Sequence, residues 1–126
     1  MTEGYLLDTN ILIYFTEGNL KLIDFLAKLK QETFFASVIS HFEFLDGHKT
    51  SKQLNEMEKA IEGFIFLDLR REITKAAAEL DLKTKKKLKL KDLLIAATAR
   101  VENLTIVTAD KDFKKVEGVE TLLFKL

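Results

Sequence analysis

Short apolar runs alternate along the chain with segments of helical periodicity. A brief, mostly apolar run bounded by polar or Gly residues is typical of a buried strand. Such runs predict strands over residues 4–7, 33–38, 64–67, 104–107 and 119–124. Strands of a parallel sheet are covered on both faces, so their side chains are apolar in succession rather than alternately. The runs therefore indicate a mainly parallel sheet.

Between these strands, apolar residues recur at the spacing of an α-helix. One stripe consists of Ile73, Ala76, Ala77 and Leu80, on an otherwise charged segment. Helices are predicted over residues 11–15, 22–29, 40–46, 51–62, 70–83 and 93–101. Strands that alternate with helices predict an α/β fold, with a mainly parallel sheet of four or five strands and helices on both faces. No repeat or linker divides the sequence, so residues 1–126 are expected to form a single domain.

Composition narrows the classes of protein and of site. Hydrophobic residues make up 47% of the 126 residues, which is enough for a packed core. The chain contains no Cys, so a metal site would need oxygen or His ligands. Lys and Arg number 20, as do Asp and Glu, and any surface for nucleic acid must therefore be local. No apolar run is long enough for a membrane span, and we expect a cytoplasmic protein.

Four acidic residues stand where predicted strands end or predicted helices begin. Asp8 and Asp110 follow strands, whereas Glu43 and Asp92 lie in the first turns of helices. Ligands of parallel α/β sheets bind at the carboxyl ends of the strands, so these acids are expected to converge. Each acid also has a structural interpretation, because Asp is a common helix cap and Ser40 with Glu43 has the spacing of a capping box.

Acids that converge repel one another unless they are protonated or bridged by a cation. Oxygen ligands without Cys select Mg²⁺ or Mn²⁺ over softer metals, and ions that keep water ligands leave room for phosphate oxygens. A bound ion of this kind activates water and neutralises charge on a phosphoryl group. Phosphodiester hydrolysis is therefore the chemistry that this set of residues favours.

Four segments carry a resemblance to a known family. Residues 7–13 (LDTNILI), 37–43 (SVISHFE), 92–99 (DLLIAATA) and 108–113 (TADKDF) resemble the motifs of PIN domains, especially the toxins of VapBC toxin–antitoxin pairs. Together these segments span nearly the whole chain. The resemblance implies a three-layer α/β/α fold, an endoribonuclease that needs Mg²⁺ or Mn²⁺, a homodimer and a cognate antitoxin.

The resemblance also implies roles for individual residues. Asp8, Glu43, Asp92 and Asp110 correspond to the catalytic metal ligands. Asn10 and Thr108 are implied to assist nearby. In the last motif either Asp110 or Asp112 could reach the ion; Asp110 is favoured because it is closer to the strand end, and Asp112 is kept as an alternative.

A lysine-rich segment precedes Asp92 and departs from the family pattern, in which many relatives carry Gly and Pro there. Its shape and the start of the following helix are therefore left open. Such a density of positive charge can pair with the phosphates of RNA, although a solvated helix end is the alternative interpretation. The candidate RNA-binding residues are Lys85, Lys86, Lys87, Lys89 and Lys91, with Lys83 just before them.

Other residues receive ordinary structural interpretations. His41 and His48 lack a zinc-ligand spacing and are expected to be surface residues. Six phenylalanines could form a stacking platform for bases, but their positions on predicted strands and helices favour a packed core. They are Phe34, Phe35, Phe42, Phe44, Phe64 and Phe66.

Two alternative functions remain. Haloacid-dehalogenase chemistry also begins with an Asp after the first strand, but the second acid that it uses two residues later is Asn10 here. The other alternative is a non-catalytic PIN-fold binding module, in which the four acids only cap helices. Retention of all four acids argues against that module.

Overall fold

A computed structural model describes residues 2–85 and 87–126 of the chain. The described residues form a five-stranded sheet in the order β3-β2-β1-β4-β5, and every pair of neighbouring strands is parallel. The strands are β1 Tyr5–Leu7, β2 Phe35–Ser37, β3 Ile65–Leu67, β4 Thr105–Thr108 and β5 Thr121–Leu123. Each of these strands lies within a run predicted from the sequence, apart from Thr108 at the end of β4. The predicted α/β class is confirmed, and the sheet is wholly parallel.

Helices connect the strands. They are α1 Thr9–Thr16, α2 Leu20–Ala27, α3 Val38–Leu45, α4 Ser51–Ala60, α5 Arg71–Lys83 and α6 Leu90–Glu102, and a short 3-10 helix, Lys111–Lys115, follows β4. Polar caps set several of these starts; for example, the Asn19 side chain accepts a hydrogen bond from the backbone N–H of Leu22 at the start of α2. Helix α6 ends where Asn103 adopts a left-handed conformation, with φ 56°.

The sheet separates two hydrophobic cores. Neighbouring residues of a strand point to opposite faces, so Leu6 packs against α5 and α6 while Leu7 packs against α1 and α2. Ile106 and Val107 divide in the same way on β4, and all four side chains are fully buried. The two cores explain why these strands read as continuous apolar runs, and they give the three-layer α/β/α arrangement.

The phenylalanines do not all belong to the core. Phe44 is buried, and the partly buried Phe34, Phe64 and Phe66 pack around the same core. Phe42, however, is 66% exposed, so its assignment to the core was wrong. Phe42 and Phe44 are two residues apart on α3, and a helix turns roughly 200° over that distance, which places them on different faces.

The described residues contain no helix that is both long and apolar enough to cross a membrane.

The start of α3 provides a test of how hydroxyl groups contribute to stability. Ser37 caps the helix by accepting from the backbone N–H of Ile39 at 3.0 Å. Ser40 is also fully buried, but its hydroxyl has no hydrogen-bond partner among the described residues. Burial of an unpaired hydroxyl is unfavourable, whereas loss of a cap is destabilising.

We therefore expect Ser37→Ala and Ser40→Ala to change stability differently. Ser37→Ala should lower the free energy of unfolding by about 1 kcal/mol. Ser40→Ala should leave it unchanged or raise it by up to about 1 kcal/mol. Urea denaturation of both variants and the wild type measures the difference. A loss of stability in Ser40→Ala equal to that in Ser37→Ala would contradict the assignment of the cap.

Candidate active site

The carboxyl ends of the two central strands bring the first acids together. Strands β1 and β4 are parallel neighbours, and Leu7 is in register with Val107. The next residues are therefore level at the same edge of the sheet: Asp8 after β1 and Thr108 at the end of β4. Asp110 follows two residues later. The strand register thus joins residues that lie 100 positions apart in the sequence.

Asp8 is buried, with 6% of its surface exposed, and both of its carboxylate oxygens accept hydrogen bonds. Oδ1 accepts from the backbone N–H of Thr9 at 2.8 Å, so Asp8 also caps α1. Oδ2 accepts from the Thr108 hydroxyl at 2.7 Å. These donors partly replace the water that the carboxylate loses on burial.

Thr108 links Asp8 to the last motif. Its hydroxyl donates to Asp8 and accepts from the backbone N–H of Asp110 at 3.0 Å. Asp110 in turn accepts from the backbone N–H of Asp112 at 2.9 Å and caps the 3-10 helix. The Asn10 side-chain oxygen accepts from the backbone N–H of Ala109 at 3.3 Å. Asn10 and Thr108 therefore fix the backbone that carries Asp110.

Glu43 reaches the same edge from α3. Its Oε1 accepts from the Thr9 hydroxyl at 2.7 Å, and its Oε2 forms an ion pair with Lys91 Nζ at 2.5 Å. The capping-box interpretation of Ser40 and Glu43 was wrong, because α3 begins at Val38 and its cap is the preceding Ser37. Glu43 therefore makes contacts with two other helices instead of capping its own.

Asp92 lies inside the first turn of α6. The helix starts at Leu90, two residues earlier than Asp92, and Lys89 is at the N-cap position. The interpretation of Asp92 as an N-cap was therefore wrong, although its charge remains favourable near the helix N-terminus. Asp92, Asp110 and Asp112 line a pocket of about 140 Å³.

Burial and neighbouring charges raise the pKa of two of these acids. Burial raises the pKa of Asp8, and the charges of Glu43 and Asp110 raise it further, against the hydrogen bonds from Thr108 and Thr9. Burial also raises the pKa of Asp92 from 3.8 to about 6, followed by the charges of Asp8, Asp110 and Glu43. Each of the two carboxylates is thus destabilised by the other predicted ligands.

The donor set is compatible with a hard divalent cation, but its arrangement is not that of a ready-made chelate. Within residues 2–85 and 87–126, no three Asp, Glu or His side chains are placed to hold a metal ion together. Glu43 is held by Thr9 and Lys91. Even so, an ammonium group already lies beside these acids. The hydrogen bond from Lys91 to Glu43 raises the pKa of Lys91, and the charges of Glu43, Asp92 and Asp8 raise it further. The site therefore accommodates positive charge, and oxygen ligands suit Mg²⁺ or Mn²⁺.

Part of the lysine-rich segment borders the acidic pocket. Lys87, Lys89 and Lys115 line it together with the acids. Lys83 and Lys85 line a neighbouring groove of about 450 Å³, together with Lys114 and Lys115 of the 3-10 helix. Lys86 lies outside the described residues.

Sequence reasoning did not identify Thr9 and Lys115 as participants, and it named Lys91 only as a candidate RNA-binding residue. Thr9 donates a hydrogen bond to Glu43, Lys91 forms an ion pair with Glu43, and Lys115 lines the pocket and pairs with Asp112 at 3.1 Å. A hydroxyl next to Asp8 was a usable signal for Thr9. The contacts of Lys91 and Lys115 depend on the tertiary fold and left no comparable signal.

The two histidines contact residues outside the acidic pocket. The His41 ring contacts Phe66 and places Nε2 at 3.0 Å from Glu58, and the Nδ1 atom of His48 is 2.8 Å from the Leu45 carbonyl oxygen. Neither ring lines the acidic pocket.

A parallel α/β/α sandwich with acids gathered at the carboxyl edge of its central strands defines a PIN-like domain. The chain belongs to the PIN domain family, whose model matches residues 5–119. No match was found among curated protein sequences. The match to the family model confirms the family membership inferred from the four motifs.

Solved structures from toxin–antitoxin systems are similar over nearly the whole chain. VapBC2 from Rickettsia felis, bound to a promoter DNA fragment, matches with TM-score 0.85 and 26% identity over 98% of this chain and 100% of that one. A toxin–antitoxin complex from Klebsiella pneumoniae matches with TM-score 0.78 and 30% identity over 91% and 94%. VapBC-1 from nontypeable Haemophilus influenzae shares the fold, with TM-score 0.80 and 22% identity over 96% and 98%.

The raised pKa of Asp92 predicts a specific pH dependence of stability. In the unfolded chain Asp92 loses its proton near pH 3.8, but in the folded protein it does so only near 6. The folded state binds more protons in this window, so the contribution of Asp92 to stability falls as the pH rises through it. Asp92→Asn should therefore gain stability relative to wild type between pH 4 and 7, by about 1–2 kcal/mol after allowance for partial exposure.

Thermal or urea unfolding in the presence of a chelator measures this difference at each pH. The chelator is needed because a bound cation would stabilise the ionised wild-type site. A stability difference between Asp92→Asn and wild type that stays constant from pH 4 to 7 would show that Asp92 ionises normally in the folded protein.

Proposed function

We propose that the protein is a metal-dependent endoribonuclease and the toxin of a toxin–antitoxin pair. The observation that carries the proposal is the placement of the acids at one edge of the sheet, where Asp8 is buried after β1. Burial raises the pKa of Asp8, and the charges of Glu43 and Asp110 raise it further. Burial and then the charges of Asp8, Asp110 and Glu43 likewise raise the pKa of Asp92. A divalent cation bound among the acids would offset this repulsion and favour their ionised forms.

Asp8, Glu43, Asp92 and Asp110 are the proposed metal ligands. Bound Mg²⁺ or Mn²⁺ supplies an activated water molecule and neutralises charge on the phosphoryl oxygens. Thr108 orients Asp8 and the backbone of Asp110 through its hydroxyl. No Ser or Cys nucleophile is needed for phosphodiester hydrolysis by this route.

The lysines around the pocket are proposed to bind the RNA backbone. Lys87 and Lys89 line the acidic pocket itself, and Lys85 and Lys114 both line the adjoining groove. A strand that enters the pocket from the groove would have its phosphates near these ammonium groups. Contacts to phosphates position RNA without reading its sequence.

The partner protein is proposed from the structural relatives, which include VapBC complexes and another toxin–antitoxin complex. A cognate antitoxin and a homodimer both require surfaces that can be covered. Several large apolar side chains are exposed and available for such contacts. They include Leu20, Phe42, Leu82 and Leu90.

A non-catalytic PIN-fold binding module is the second candidate. In such a module the acids would only cap helices, as Asp8 and Asp110 do here. The observation that favours it is the absence of a preformed three-residue chelate within the described part of the chain. The two candidates differ in one measurable property, which is metal-dependent RNA cleavage.

Asp8→Asn should abolish RNA cleavage by the purified protein in Mn²⁺, with a loss of about 100-fold or more, because it removes a charged ligand at the centre of the site. Wild-type cleavage should also stop in chelator and return when Mn²⁺ is added. Asp24→Asn is the matched control, since Asp24 is exposed on α2 and pairs with Lys28. Cleavage that survives both Asp8→Asn and chelator would identify a contaminating nuclease.

Binding of RNA by the lysines should depend on salt. Replacing Lys85, Lys87 and Lys89 together by Ala should weaken binding of a single-stranded RNA and reduce the slope of log K against log salt by about 2, or roughly 0.7 for each lost phosphate contact. Fluorescence anisotropy of the catalytically inactive Asp8→Asn protein measures the slope without cleavage. The control replaces three exposed lysines on α2 and α4. These are Lys21, Lys52 and Lys59.

Equal slopes for the two triple variants would contradict a specific role for the lysine-rich segment. They would indicate instead that RNA responds to the total charge of the protein.

A further inference from the structure

Lys91 makes a contact that its expected role in RNA binding did not predict. The sequence placed it among the lysines that bind RNA, but its ammonium forms an ion pair with Glu43 Oε2 at 2.5 Å. The two residues are 48 positions apart, on α6 and α3. The Lys91 side chain is 51% exposed and that of Glu43 is 21% exposed, so the pair lies at the rim of the acidic site.

The two oxygens of Glu43 both have partners. Oε1 accepts from Thr9, and Oε2 is held by Lys91. Lys91 also interacts favourably with the charges of Asp92 and Asp8. One positive charge supplied by the chain therefore offsets part of the repulsion among the acids. A divalent cation bound at the same acids would offset the same repulsion.

We propose that the Lys91 ammonium competes with the divalent cation for Glu43. The inference rests on the proposed function, because it assumes that Glu43 is a metal ligand. A cation that binds Glu43 Oε2 would lie next to the Lys91 ammonium, and two positive charges at such short distance repel each other. Lys91 thus weakens metal binding and sets the cation concentration at which the site fills.

The neighbouring lysines do not share this property. Lys89 lines the acidic pocket but caps no Glu43 oxygen, and Lys87 pairs with Asp81 at 3.2 Å. Lys89 therefore offers a matched control: removing it takes one positive charge from the pocket that Asp92 and Asp110 line, and leaves the Lys91 to Glu43 ion pair in place.

The test is the affinity of the full-length protein for Mn²⁺, measured from the electron paramagnetic resonance signal of the free ion. Lys91→Met should bind Mn²⁺ about threefold to fivefold more tightly than wild type, the range expected for loss of a partly exposed ion pair. Lys91→Arg, which can keep the pair, should stay close to wild type. Lys89→Met should change the affinity by less than about twofold, since its charge is not held by Glu43.

A second measurement does not depend on affinity. In chelator, Lys91→Met should melt at a lower temperature than wild type, because Glu43 loses its partner. Saturating Mn²⁺ should then raise the melting temperature of Lys91→Met more than that of wild type. The exposure of the Lys91 side chain makes the substitution compatible with folding, and the melting curve itself reports this.

The outcomes separate this inference from the proposed function. In a Glu43→Gln background, Lys91→Met should no longer tighten Mn²⁺ binding; equal effects of Lys91→Met and Lys89→Met in the wild-type background would overturn the competition. If Asp8→Asn and Glu43→Gln both leave Mn²⁺ affinity unchanged, the metal site itself is wrong and the proposed function fails with it.

Discussion

The burial of carboxylates beside one another at one edge of a parallel sheet is the constraint on which the rest of this structure depends. Asp8 is buried at that edge, and its ionisation is opposed first by this burial and then by the charges of Glu43 and Asp110. The chain offsets the repulsion with hydroxyl donors, Thr9 for Glu43 and Thr108 for Asp8, and with backbone N–H groups. These donors stabilise the ionised acids but do not fully offset burial and repulsion, since the pKa of Asp8 stays above its usual value.

The fold enforces this proximity through strand register. Strands β1 and β4 are buried between two cores, and their parallel pairing levels Asp8 with Thr108. A shift of β1 by one residue would exchange the side chains of its two faces, so the hydrophobic cores that determine the register also fix the acids. The same strand register therefore stabilises the two cores and sets the geometry of the site. This coupling explains how a chain of 126 residues can hold several like charges together.

Much of this could be predicted from the sequence, for a physical reason. Apolar runs and helical stripes reflect burial by the two cores, and acids after strands reflect the general geometry of parallel sheets. Helix starts were less predictable because they depend on local caps: α3 begins at Val38 after the Ser37 cap, and α6 begins at Leu90, before Asp92. The pair of Glu43 with Lys91 joins two helices, and no local pattern encodes it.

The sequence posed capping and metal binding as competing explanations for each acid, but for Asp8 and Asp110, which do cap helices, the two roles are chemically compatible. An ionised carboxylate can accept about four hydrogen bonds or ligands, so an oxygen that caps a helix retains lone pairs. Asp110 caps the 3-10 helix through Oδ1, and its charge still raises the pKa of Asp8 and of Asp92. Capping fixes the direction of the carboxylate, which is what a ligand needs. Evidence that Asp8 and Asp110 cap helices is therefore no evidence against a nuclease.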